Sequence, residues 1–214
     1  MRHCVRAFTK EPVLKEQLER AIDYARYAAS SKNMQPWQLT ICQGNILQSL
    51  SKDLIDAVYS GVPPASELGE SKENPIPQVY MDRARQCGYS LFQHKAIERH
   101  DKEARLEHWC ENYRFFGAST VILFYYDHKL PSHCLIDMGI FLERLMHGLE
   151  KEGLSSCPQA SLVAFPDILK KHIEMPENLS PIFGLSLGHE DPEGKVNQFR
   201  TEKLEINDFT KWLN

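Results

Sequence analysis

Val13, Leu14, Leu18, Ala21, Ile22 and Ala25 recur at steps of three and four residues, a spacing that predicts an amphipathic helix over 13–29. Pro12 stands just before it, at the favoured N-terminal position, and Pro36 would stop it. Ile46, Leu47, Leu50, Leu54, Ile55 and Val58 repeat the period in a second helix. Helical patterns return at 79–97 and 101–113. Leu135, Ile136, Ile140, Leu142, Leu145, Met146 and Leu149 predict the most apolar helix, with Gly153 at its C-terminal cap. Three stretches read as strands: Leu39 to Cys42, ASTVILFYY (118–126) and PIFGLSLGH (181–189). The second is an unbroken apolar run rich in β-branched and aromatic residues, as expected of a strand buried on both faces. The tail 205–213 reads as a short helix. Residues 60–77 hold four prolines and two glycines and read as a loop. No repeat or low-complexity block divides the chain, so the pattern predicts one α+β domain over 1–214.

Composition narrows the function classes. A net charge of −4 over 214 residues gives no basic field, which argues against nucleic acid. No run of eighteen apolar residues exists, which argues against a membrane span, and MRHCVRAFTKEPV contains no signal-like apolar stretch. Six cysteines lie scattered without a C-x-x-C pair, a usage that fits reduced thiols in a cytoplasm. Cys157, in SSCPQ, reads as a turn or packing residue. Nine histidines are dispersed, and His128 and His133 lack the spacing that puts two metal ligands on one helix face. No metal site is therefore assigned.

Glycine-rich nucleotide motifs and the G-x-S-x-G elbow are absent. Two cationic clusters stand at opposite ends of the chain: Arg2, His3, Cys4 and Arg6 in RHCVRAF, and Arg200 and Lys203 in NQFRTEKLE. They would suit a phosphate if they converged, and would otherwise be two solvated termini. The stretch YAASSKNMQPWQL (27–39) offers Ser30, Ser31, Asn33 and Gln35, more polar groups than a helix end needs.

RHCVRAF, AASSKNMQPW, NYRFFGAS, GLSSCPQAS and SLGHEDPEGKVNQFRTEKL, in that order, resemble the nitroreductase family of flavoproteins across nearly the whole chain. DKEARLEHWCENYRFFGAS is most similar to its nitrobenzoate-reductase type. The resemblance implies an α+β fold with a central, mostly antiparallel sheet packed by helices. It also implies tightly bound FMN and a homodimer with its flavin sites at the interface. Arg2, His3, Cys4 and Arg6 match the segment that grips the FMN phosphate, with Cys4 where the family often has serine. Lys203 stands where arginine is usual, and Arg200 matches a neighbouring basic position. Pro158, Gln159, Ala160 and Ser161 match a turn whose backbone faces the flavin ring. Ala29, Ser30, Ser31, Asn33 and Gln35 match a segment that reaches the partner subunit's flavin, with Trp37 packed in the core behind it. Family members usually carry a helical segment ahead of the arginine-rich motif, whereas this sequence starts at the motif itself.

The implied activity is FMN-dependent transfer from NAD(P)H to a nitroaromatic, quinone or similar small acceptor by a ping-pong mechanism. The cofactor carries the chemistry, so no catalytic side chain is nominated. The alternatives are a related flavoenzyme, such as a dehalogenase or enone reductase, and a flavin-storage protein with little turnover.

Overall fold

A computed structural model of the chain describes residues 2–65 and 76–213. The expected loop over 60–77 is irregular where described, and its residues 66–75 lie outside that range. Four strands form one antiparallel sheet in the order β1-β2-β4-β3, with β1 Gln38–Gln43, β2 Thr120–Asp127, β3 Ser155–Gln159 and β4 Leu179–Gly188. Among the described residues seven α-helices accompany it: α1 Lys15–Ala25, α2 Gly44–Tyr59, α3 Gln78–His94, α4 Lys102–Cys110, α5 Cys134–Lys151, α6 Pro166–His172 and α7 Ile206–Phe209.

Strand alternation along β2 divides the core in two. Val121, Leu123 and Tyr125 pack with Leu50 and Leu54 of α2 and Leu169 of α6. Ile122, Phe124 and Tyr126 pack with Leu18 and Ala21 of α1 and Phe141 and Leu145 of α5. Both faces of β2 are thus covered, as its unbroken apolar run predicts. Trp37 stacks on Phe141 with ring centroids 4.7 Å apart, so its expected place in the core holds.

Several boundaries differ from the sequence pattern. Helix α1 ends at Ala25, well before Pro36, and its N-cap is Leu14, which leaves Pro12 two residues outside. The chain instead passes through a 3-10 turn at Ser31–Asn33. SSCPQ is a strand rather than a turn: β3 is an edge strand, where a proline that cannot donate to the ladder is tolerated. Helix α6 has no counterpart in the sequence reading, and the tail is helical only over Ile206–Phe209. The end of α5 is as expected. Gly153 (φ +74°) donates to the Glu150 carbonyl at 3.1 Å and Leu154 to that of Leu149 at 2.9 Å, a Schellman closure.

Candidate active site

The N-terminal segment is fixed by hydrogen bonds from three directions. Cys4 forms a parallel β-bridge with Ser156, and the Val5 N–H donates to the Ser156 carbonyl at 3.2 Å. Phe8 donates to Phe116, and Thr9 to His189. Buried Asn197 ties the segment to the C-terminal region: its Oδ1 accepts from the Arg6 and Ala7 N–H groups at 2.8 and 3.1 Å, and its Nδ2 donates to the Ala7 carbonyl. Gly194 permits this approach, since a Cβ there would lie 2.6 Å from Ala7 Cβ. The two cationic clusters are therefore neighbours in the fold although they lie at opposite ends of the chain.

They nevertheless line separate recesses. Arg2 and His3 border a small pocket with Met146, Ser156 and Glu190, where Arg2 Nε lies 3.5 Å from Glu143 and His3 Nε2 lies 3.3 Å from Glu190. Arg200 and Lys203 border a cleft of about 600 Å³ against α3, with Arg83, Gln86 and Cys87 on its far wall. Arg200 donates to the carbonyls of Asn197 and Phe199, and Lys203 to the Thr201 hydroxyl.

Positive charge around this segment is undercompensated. Arg2 Nη1 is buried and has no hydrogen-bond partner among the described residues. Among the described residues, neither Arg6 nor Lys95 forms an ion pair, and both are half-buried. Lys95 Nζ lies 2.9 Å from His108 Nδ1, two basic groups in direct contact. Burial, then the charges of Lys95 and Arg6, push the His108 imidazole down to about 4. Burial also lowers Lys95, with Arg6 adding to the effect and Glu111 opposing it. Such a surplus fits an anionic ligand group, whose oxygens would take the unfilled donors.

The stretch 158–161 divides between strand and turn. Pro158 and Gln159 end β3, while Ala160 and Ser161 begin a 3-10 turn. The Gln159 side chain points inward: Nε2 donates to the Asn112 carbonyl at 3.0 Å, and Oε1 accepts from Ser186. Ser161 Oγ donates to Asn112 Oδ1 at 3.3 Å. Ala160 is exposed at this corner. Asn112, which the sequence reading did not single out, holds the corner from the turn after α4.

The 29–35 loop is closed partly by its own groups. Buried Asp137 on α5 accepts from the Ser31 N–H at 3.0 Å, and Ser30 Oγ accepts from the Gln35 N–H at 3.1 Å. Gln35 Nε2 donates to the Asn33 carbonyl. The Asn33 side chain makes no hydrogen bond among the described residues, and Ala29, Asn33 and Gln35 are exposed. Lys32, Asn33 and Gln35 adopt left-handed φ of 49–58°, and Phe115 and Phe116 beside Asn112 adopt 56°. Such strain in non-glycine residues collects at functional sites.

Residues 1–189 match the family model described as the nitroreductase family. The chain is 30% identical over 212 residues to a 4-nitrobenzoate reductase of Pseudomonas putida, covering 99% of this chain and 92% of that protein. It is 27% identical to a chloronitrobenzene nitroreductase of Comamonas testosteroni, covering 100% and 94%. In structure it is similar to the FMN-dependent nitroreductase NfnB of Mycobacterium smegmatis, solved in complex with NADPH. The TM-score there is 0.92 at 25% identity, over 100% of this chain and 95% of the other.

Proposed function

This chain belongs to the nitroreductase family, and from that premise we propose an FMN-dependent oxidoreductase that uses NAD(P)H to reduce nitroaromatic, quinone or similar small acceptors. The observation that carries the reading is the undercompensated charge around the N-terminal segment, with its buried Arg2 donor, partnerless among the described residues. A terminal phosphate is the group such donors suit. Bound FMN would supply the two-electron chemistry.

The chain's own residues bind and position. Arg2, His3, Cys4 and Arg6 hold the phosphate, while Arg200 and Lys203, which the Asn197 tether keeps beside this segment, add positive charge from the neighbouring cleft. Asn112 and Gln159 fix the Pro158–Ser161 corner so that its backbone presents an N–H to the flavin ring. The 29–35 loop reaches the flavin of the partner subunit in a homodimer. Exposed Tyr27, Ile136 and Ile140 on the α1–α5 face support that contact. Donor and acceptor must each bring their reacting atoms within about 3–3.5 Å of the ring. Sharing one slot, they alternate, which gives ping-pong kinetics and requires no side-chain acid for the hydride step. Among the described residues no helix is long and apolar enough to cross a membrane, and all six cysteines are free. Both fit a protein working in a reduced cytoplasm.

The test is anaerobic mixing of the purified yellow protein with NADH or NADPH, followed by acid release of the chromophore. Bleaching of the flavin, reoxidation by a nitroaromatic and recovery of FMN are expected. Flavin that neither nicotinamide reduces would refute the enzyme, and FAD would refute the phosphate assignment.

A further inference from the structure

Of the six cysteines, two from distant parts of the sequence meet. Cys4 is bridged to Ser156 in parallel ladder geometry, and Cys157 is the next residue along β3. Both pack against the same core cluster, and from the ladder spacing and strand rise the diagonal from Cys4 to Cys157 is roughly 5.8 Å between backbones, inside the Cα separations that a disulfide spans. Interaction with Cys157 is the main cause that lowers the Cys4 thiol to about 5. Burial opposes that shift, and the charges of Arg6 and Arg2 reinforce it. Cys157 moves the other way, raised by the same interaction and by burial. Cys4 is thus half-exposed, with the charges of two guanidinium groups favouring its ionised form. Cys157 is a 2% exposed thiol held in reserve against it. The remaining cysteines lack this arrangement: Cys42, Cys110 and Cys134 are buried, and Cys87 is exposed on α3.

We propose that Cys4 and Cys157 form a redox-modification site, in which the Cys4 thiolate reduces a hydroperoxide and Cys157 closes a disulfide that staples the N-terminal segment to β3. The Cys4 sulfur attacks the distal peroxide oxygen, the O–O bond breaks, and the alcohol or water leaves after taking a proton from solvent. Cys4 is then a sulfenic acid. The Cys157 sulfur attacks it and the S–O bond breaks. The departing hydroxide takes the Cys157 proton and leaves as water. The balance is two thiols and one hydroperoxide giving one disulfide, one alcohol and one water, with two electrons passing to the peroxide. The fold needs little rearrangement, because the bridge already holds the two backbones side by side. Cys4 also belongs to the segment assigned to the FMN phosphate, so the proposal rests on that reading, and comparing the protein with and without flavin tells the two apart.

The test treats the full-length chain with one equivalent of hydrogen peroxide, both as purified and after removal of bound flavin. Alkylation, tryptic digestion and mass spectrometry follow. Expected is peptide 3–6 joined to peptide 152–170 in at least one of the two preparations. Cys157→Ser should instead leave Cys4 as a sulfenic acid that dimedone traps, while Cys4→Ser should leave Cys157 a thiol. Before oxidation, the alkylation rate of Cys4 should change little between pH 6.5 and 8, because its thiolate fraction is already near its maximum there. If Cys87 oxidises while Cys4 and Cys157 both remain thiols in both preparations, the proposal is overturned.

Discussion

His108 is half-buried, edge-on to the Phe92 ring at 5.1 Å, and accepts from the Lys95 ammonium. Protonating it there would put two cations in contact, so the folded chain keeps it neutral to about pH 4, against an ordinary value of 6.5. Between those values the unfolded chain binds more protons than the folded one. This group's contribution to stability is therefore complete above about 6.5 and lost as pH falls towards 4. Partial exposure reduces the effect to about 1–2 kcal/mol. His108→Gln should unfold in urea with a visibly flatter pH dependence between 7 and 4.5 than the parent; parallel curves would show that burial is not what lowers the imidazole. The sequence carried no sign of this pair, because nothing in a thirteen-residue separation marks Lys95 and His108 as neighbours. The same is true of Asp137 beneath Ser31 and of Asn112 behind Gln159. The arginines of RHCVRAF were legible because several basic groups fall in a few consecutive residues.

At the scale of elements, legibility followed periodicity. Helix α5 and strand β2 carry long uninterrupted signals, and their observed spans lie within two residues of the expected ones. Strand β3 was missed because serines and a proline mask its alternation, and α6 because seven residues give too few turns to show a period. Close approach of helices also leaves little trace in a pattern of apolar residues. Gly148 on α5 meets α1 so tightly that a Cβ would lie 2.8 Å from the Ala21 carbonyl oxygen, a backbone atom that cannot swing aside. Gly148→Ala should therefore destabilise the fold by about 1–3 kcal/mol despite alanine's better helix propensity. Gly88 on α3 has nothing within 4 Å of the same position. Gly88→Ala serves as the control and should gain about 0.5–1 kcal/mol. Equal effects in thermal unfolding would mean that α1 and α5 separate readily.

At the scale of the molecule, large apolar side chains stand exposed in two places. Ile136 and Ile140 project from α5 and Tyr27 lies beside α1. Along the tail, Phe209, Trp212 and Leu213 are 67–83% exposed. The proposed homodimer would cover these groups and set the strained 29–35 loop, whose Asn33 side chain has no hydrogen bond among the described residues, against the other chain's phosphate segment. In such a homodimer each site takes Arg2 from one subunit and Asn33 from the other. Arg2→Glu places a negative charge where a phosphate is expected, and Asn33→Asp places one at the ring, so either homodimer carries two damaged sites. A mixed dimer, isolated through two affinity tags, gathers both lesions into one site and leaves the other intact. It should bind one FMN per dimer and recover turnover that neither parent shows. A mixed dimer as empty as its parents would place Arg2 and Asn33 in the same subunit's site, and a stable monomer that retains FMN would remove the need for a partner altogether.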